Sequence, residues 1–431
     1  QFGVTRFGAF VQDRWHPTQQ LTLNLGLRYD VAKTPSQFRT DGNNVGPRLG
    51  FAWSPSTAWV VRGAFGLFYD RLPLAFLNDA IQKNGAAAFE QIAYDATASA
   101  IFNANGGGRV AVPLTGIAPS IYKAASPFHT PHSVQASVGV ERLIAADTTL
   151  KAEFLFTRGI DLPRTRNVNL LPPVFLTAAN AASLGFANPT PQEIGRPVFG
   201  PGRSDPRFDG IFQLENSSRS NYRGLSLSVN RRFSKEVVAL ASYTLAKAAD
   251  DASDFFEQPT NPFNIAAERS RSLLDVRHRL VLSGVFDLPF GDEEDKTKAK
   301  SKDSLIDAVL SNIEVAPIIT LSSGRPTNPL TGLDDEHNGA FPVNSRPLGF
   351  ARNVLTTPRS FNTDIRIVKY IPIREGSKLD FAFEFFNLFN HPTAASLNPY
   401  YGSNLTPLLS FHSATLFGAP RQFRFSLDLE F

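Results

Sequence analysis

Residues 422–431 alternate without interruption. Phe423, Phe425, Leu427, Leu429 and Phe431 stand at odd positions, Gln422, Arg424, Ser426, Asp428 and Glu430 at even ones. Successive side chains of an extended strand point to opposite faces, so this segment has one wholly apolar face and one wholly polar face. A helix would mix the two sets around its circumference, which excludes it. Residues 21–30 repeat the pattern: Leu21, Leu23, Leu25, Leu27 and Tyr29 oppose Thr22, Asn24, Gly26, Arg28 and Asp30. One such strand suits any sheet. A membrane β-barrel demands a series of them, each about 10 residues long, apolar toward lipid and polar toward the lumen.

The series is present. Strand patterns recur at 7–15, 48–54, 59–69, 134–142, 150–157, 225–230, 237–245, 279–288, 314–321, 365–371 and 379–386. With the two already described they make thirteen, or fourteen if a brief piece at 211–215 belongs to the wall and not to a loop. Connections at 16–20, 55–57, 143–148, 233–236 and 372–377 are short; those at 31–46, 71–131, 161–220, 249–275, 324–360 and 391–420 are long. The stretch 71–131 is expected to include helical pieces. Short periplasmic turns alternating with long extracellular loops are the plan of an outer-membrane barrel, and a soluble sandwich has no reason to keep its long loops at one end. The exception is 291–311, a charged insertion where a short turn is due, read as a solvated periplasmic excursion.

The expected fold is therefore all-β: a transmembrane antiparallel up-and-down β-barrel, described as one domain over residues 1–431. Although 42% of residues are hydrophobic, no run of 18 apolar residues occurs, so a membrane helix is not expected. Cys is absent, which excludes disulfides and thiolate metal sites. Met is absent too, so the first residue is not an initiator, and a processed protein or a fragment is expected. A net charge of +4, with basic residues scattered, gives no footprint for nucleic acid. Single-chain bacterial barrels have even strand counts, and an open sheet in lipid leaves several kcal/mol on each unpaired backbone group. Thirteen strands thus predict the later part of a larger barrel, with independent closure at fourteen as the alternative.

Orientation assigns residues to environments. With the long loops outside, Trp15, Trp53 and Trp59 fall beside periplasmic turns, and Tyr29 and Tyr69 near the outer strand ends, as interfacial aromatics do. Arg28, Arg62, Lys151, Glu153, Arg279, Asp380 and Glu384 are expected to face the lumen. No catalytic constellation is evident, and the seven His show no metal-type spacing; His278 and His391 read as rim residues. Asp334, Asp335, Glu336 and Asn338 are spaced as a compact calcium-type acidic loop, though solvated loop acids explain them as well. Asp250, Asp251 and Asp254 form a weaker acidic group.

Several segments resemble the C-terminal barrel half of TonB-dependent receptors, particularly the Oar-like subgroup. They are FVQDRW and LTLNLGLRYD (10–30), GPRLGFAWSP with VVRGAFGLFYDR (46–71) and NYRGLSLSVNRRFS with ASYTLAKAADD (221–251). DVRHRLVLSGVFDLPFG (275–291), SGRP (323–326), FEFFNLFNHP (383–392) and the terminal Phe431 follow in the same order. The resemblance implies a 22-strand barrel in the outer-membrane lipid, filled by a plug domain. It further implies inward movement of a bulky extracellular nutrient, driven through the TonB complex by the inner-membrane proton gradient. The plug, the TonB box and the early strands have no counterpart among these residues. The terminal strand, Phe423, Phe425, Leu427, Leu429 and Phe431, resembles the signal read by the outer-membrane assembly machinery. With no catalytic constellation evident, no enzymatic activity is expected, and no cofactor apart from calcium at the acidic loop. The competing readings are a surface adhesion or structural protein with ligand-binding loops, an independently closed porin-like barrel, an outer-membrane hydrolase, and a soluble all-β protein.

Overall fold

Thirteen strands pair edge to edge in chain order to build one antiparallel sheet. The structure, a computed structural model, describes residues 2–93, 95–110, 113–186, 189–191, 193–233, 237–288, 311–340, 344–374, 377–402 and 406–431. The strands are β1 (Thr5–Thr18), β2 (Leu21–Lys33), β3 (Val45–Ser56), β4 (Trp59–Tyr69), β5 (His132–Ala145), β6 (Thr148–Asn167) and β7 (Ile211–Arg232). They continue as β8 (Val237–Asp250), β9 (His278–Asp287), β10 (Ile313–Ser322), β11 (Ser360–Arg374), β12 (Ser377–Phe386) and β13 (Gln422–Glu430). All thirteen stand where alternation places them. Residues 291–310 of the charged insertion lie outside the described residues.

Directly opposed residues of an antiparallel pair share a face, so the register carries the division of faces from strand to strand. Between β12 and β13, Phe381, Phe383 and Phe385 oppose Leu427, Phe425 and Phe423, whereas Asp380, Ala382 and Glu384 oppose Asp428, Ser426 and Arg424. Phe383 and Phe425 have ring centroids 5.3 Å apart, and Arg424 Nε donates to Glu384 Oε2 at 2.5 Å. Among the described residues the apolar face meets no second protein layer: Phe423, Phe425 and Leu427 are 68%, 57% and 53% exposed. A soluble sandwich would bury such a face. A contiguous exposed apolar face marks contact with something other than water, and hydrocarbon is the solvent that suits it.

Two clusters of fully buried apolar side chains gather in the long connections and at the outer end of β7. Phe38, Phe76, Leu77, Phe128, Phe212 and Leu214 form one cluster, and Leu176, Ala181 and Val198 a second. Helix α1 (Leu74–Gln82) brings Phe76 and Leu77 to the first cluster from one face, and α2 (Asp95–Ala104) follows in the same connection. Helical pieces in 71–131 are thus as expected.

The reading of 161–220 as a loop requires correction. Strands β6 and β7 run for 20 and 22 residues, about twice the 9–11 that cross a bilayer. Residues 211–215 are neither a loop nor a fourteenth strand. They are the outer end of β7, with Phe212 opposing Asn167 and Glu215 opposing Arg164 of β6. Above the hydrocarbon the two faces no longer see different solvents, so selection for alternation lapses. Register shifts at Glu215, Ser218 and Ser220 interrupt the period further. Ile121–Ala124 extends this outer part by pairing parallel to β7.

Candidate functional site

The polar face carries a transverse row that crosses the sheet. Arg62 of β4 opposes Gly139, which opposes Glu153 of β6; Glu153 opposes Ser226, and Ser226 opposes Thr244. Thr244 opposes Arg279 of β9, and the row ends at Ser322 and Ser360. Hydroxyls flank Arg279 on both sides: Ser226 Oγ lies 2.9 Å from Thr244 Oγ1, and Ser322 Oγ lies 2.6 Å from Ser360 Oγ.

This end of the row opens into a chamber of about 650 Å³ beneath the long connections. Hydroxyl side chains, Tyr222, Thr320, Ser323 and Thr357 among them, line it together with two guanidiniums, Arg279 and Arg325. Its lining contains no carboxylate. Arg325 is placed by the segment 323–326 lying against residue 357: Arg325 N donates to Thr357 Oγ1 at 2.9 Å, and Thr357 N donates to Arg325 O at 2.8 Å. Gly324 permits this approach, because a Cβ there would fall 1.7 Å from Thr357 O. The SGRP tetrapeptide of the sequence is therefore a backbone crossing that presents an arginine.

Most other arginines of the long connections already hold carboxylates. Arg352, 1% exposed, donates from Nη1 to Asp250 Oδ1 at 2.7 Å and from Nε to Glu257 Oε1 at 2.5 Å. Burial pushes its pKa down, but the bonds and charges of Glu257 and Asp250 outweigh this and hold it above the ordinary arginine range. Arg346 Nη2 stands 2.9 Å from Glu268 Oε1; burial raises the Glu268 carboxyl, yet Arg346 prevails and keeps it below the usual glutamate value. Arg164 and Asp251 pair at 3.0 Å. Asp250 and Asp251 are therefore ties between loops. Among the described residues, neither Arg279 nor Arg325 has a carboxylate within ion-pair distance. Guanidiniums amid hydroxyls with no resident acid suit an oxygen-rich anion.

The expected lumen residues all fall on the polar face but do not converge. Arg28 pairs with Asp30 at 2.7 Å, Lys151 with Glu153 at 2.6 Å and Asp380 with Lys378 at 3.3 Å, and Glu384 binds Arg424. Arg62 and Glu153 share the row of Arg279, and of the seven only Arg279 lines the chamber. Trp15 and Trp53 oppose Leu23 and Leu21 beside the short turns, and Trp59 opens β4 with Arg142 4.7 Å over its ring. Tyr29 and Tyr69 lie at the loop ends of β2 and β4. Sequence reasoning missed Arg325 and the hydroxyl lining. The SGRP motif and the Ser and Thr at polar-face positions were the available signals.

Asp334, Asp335, Glu336 and Asn338 are buried within the loops. Asp334 accepts from Asn338 N and Gly339 N, each at 3.0 Å, while Glu336 takes Arg196 Nη1 and Asp335 lies 3.9 Å from Arg196 Nη2. Among the described residues no group of three or more His, Asp or Glu is arranged to hold a metal.

Relatives agree with this architecture. A family profile described as an outer membrane beta barrel domain matches residues 1–39 and 33–350. No curated protein matches the chain. Among solved structures, the outer membrane transporter YddB of Escherichia coli superposes with a TM-score of 0.57 at 12% identity, covering 100% of this chain and 45% of that one. A ferric enterobactin receptor (PfeA) mutant of Pseudomonas aeruginosa gives 0.56 at 12% identity over 99% of this chain and 45% of its own. The siderophore receptor PirA of Acinetobacter baumannii gives 0.54 at 12%, over 99% and 46%. The chain spans less than half the length of these structures. With alternating faces, an unclad apolar wall and a profile match over most of its length, the chain belongs to the outer membrane beta barrel domain family.

Proposed function

We propose that this wall is part of an energy-coupled receptor-transporter of the bacterial outer membrane, and that it takes up a bulky, oxygen-rich anionic solute. One observation carries the reading: two guanidiniums that have no carboxylate partner among the described residues meet a hydroxyl lining in a chamber under long, tied loops on the polar face. A porin needs no such ligand chamber, and an adhesin needs none behind its loops. The likeness in fold to a transporter and to receptors supports the same reading. A plug domain filling the lumen, the TonB complex drawing on it and the assembly machinery recognising Phe423 to Phe431 are the partners this function calls for. Calcium at Asp334, Asp335, Glu336 and Asn338 forms no part of the proposal, since Arg196 already supplies positive charge there.

The test uses the full-length receptor. Purified protein is offered ferric chelates and acidic oligosaccharides beside their neutral counterparts, and binding is measured by equilibrium dialysis. Anionic members should bind at least tenfold more tightly. Arg279→Ala with Arg325→Ala should abolish that preference, since a hydrogen bond to a charged group is worth about 1.5–3 kcal/mol. Uptake in cells should stop when the inner-membrane gradient is collapsed. Uptake that persists points to a porin-like barrel, and binding without uptake to an adhesin.

A further inference from the structure

On the apolar face, at the end of the sheet that meets the long connections, Tyr243, Leu280, Leu321 and Phe361 oppose one another across β8, β9, β10 and β11. They line a groove of about 580 Å³ whose rim bears His278, Arg359 and His391. Every titratable side chain on that rim other than Tyr243 is a base, and no carboxylate lines the groove. His278 is fixed by a 2.7 Å hydrogen bond between its Nδ1 and Tyr243 Oη, and His391 by an edge-to-face contact with Phe361 at 6.0 Å. One rung further toward the short turns, Ala241, Leu282 and Ile319 oppose one another, with Ala239 and Gly284 beyond. The small side chains of Ala239 and Ala241 leave a second depression of about 360 Å³, bounded by Leu282, Phe286 and Ile319. The apolar wall is thus hollowed beneath a basic rim, along a line parallel to the strands.

A charged head and an apolar tail of matching direction describe an amphiphile. The rim lies where strands enter their outer connections, at headgroup depth, and Arg presents a fork that fits phosphate oxygens. We propose that this groove holds one anionic, phosphate-bearing lipid. Its headgroup sits against Arg359, His278 and His391, and an acyl chain runs past Leu280 and Leu321 toward Ala241 and Leu282. A soluble partner protein is disfavoured because the same surface is hydrocarbon-facing wall.

The experiment titrates delipidated full-length protein, in neutral detergent, with phosphatidylglycerol or with phosphatidylcholine of identical chains, and reads the retained lipid by native mass spectrometry. The wild type should retain phosphatidylglycerol with about tenfold preference. Arg359→Glu with His391→Ala should bring the preference within twofold while heat-modifiable gel mobility, a readout of folded barrel, stays unchanged. Should that pair disturb folding, Arg359→Ala, an exposed side chain, serves instead and should cut the preference at least threefold. Ala241→Phe, filling the tail groove, should weaken both lipids alike. Equal retention of the two lipids by the wild type, or a preference that survives loss of Arg359, overturns the assignment.

Discussion

At the scale of single residues, cations that hold buried carboxylates stand apart from cations that have no carboxylate partner among the described residues. Arg352 belongs to the first kind. Its removal strands Asp250, 4% exposed, beside Glu257, and breaking a buried pair from one side costs about 3–5 kcal/mol. Arg352→Met should therefore speed amide exchange across 250–272 and 350–356 by two or more decades while strands β8 and β9 keep their protection; equal exchange in wild type and variant would remove the structural role. Arg325 belongs to the second kind, and Gly324 sets its position. Gly324→Ala drives a methyl into Thr357 O, a backbone atom that cannot swing aside, at a cost of roughly 1–3 kcal/mol. Ligand discrimination in this variant should fall as far as in Arg325→Ala, with the barrel still assembled. Glu336 gives a pH signature. Burial, opposed by Arg196, pushes its carboxyl up to about 7 from an ordinary 4.5. The folded loop then binds the extra proton between those values, so the contribution of Glu336 to its stability is fully present below about 4.5 and is lost as pH rises through 7. Proteolysis of the long loops should be faster at pH 8 than at pH 5.5, and Glu336→Gln should flatten that difference.

At the scale of elements, strand chemistry was legible wherever the two faces meet different solvents. Trp59–Tyr69 was legible to the residue at both ends, and Gln422–Glu430 to within one, because lipid on one side and a polar interior on the other impose a period of two. The outer halves of β6 and β7 were not legible. The run from Asn216 to Tyr222 lies in a strand of 22 residues, its alternation is broken by register shifts, and the neighbouring contacts of Arg164 with Asp251 and of Arg166 with Glu215 are ones that no local pattern encodes. The chamber was half legible: Arg279 follows from strand phase, whereas Arg325 depends on a loop-to-loop crossing. Strand β1 reads as less regular because Phe10 opposes Arg28 on the polar face and Asp13 opposes Leu25 on the apolar one. The facing rule is testable on β13. Leu427 opposes Phe381 on the apolar face, and Ser426 opposes Ala382 on the polar face. An arginine at the lipid midplane costs about 2–4 kcal/mol. Leu427→Arg should block assembly into outer membranes, and Ser426→Arg should leave most of it intact. Equal losses would mean that both faces meet the same medium.

At the scale of the whole molecule, direction decides how the wall closes. Strand β1 runs from the loop end down into the turn before β2, and β13 runs down from the long connection that follows β12. The two edges are therefore parallel to each other in a sheet whose neighbouring strands are antiparallel throughout, and among the described residues neither edge has a partner. Joining them directly would require one parallel seam. Inserting an odd number of strands restores the alternation, and it also brings thirteen to the even total that such barrels keep. Energetics favours insertion over an open sheet: each edge presents about five backbone groups to hydrocarbon, at several kcal/mol apiece. That sum exceeds the stability of any ordinary domain. Residues 1–431 refolded alone into lipid vesicles should accordingly remain extractable by urea and show no heat-modifiable monomer. Supplying an odd number of further antiparallel strands in trans should restore a urea-resistant, heat-modifiable barrel. A compact, urea-resistant monomer from the 431 residues alone would show that the parallel seam forms after all, and that closure by further antiparallel strands is not required.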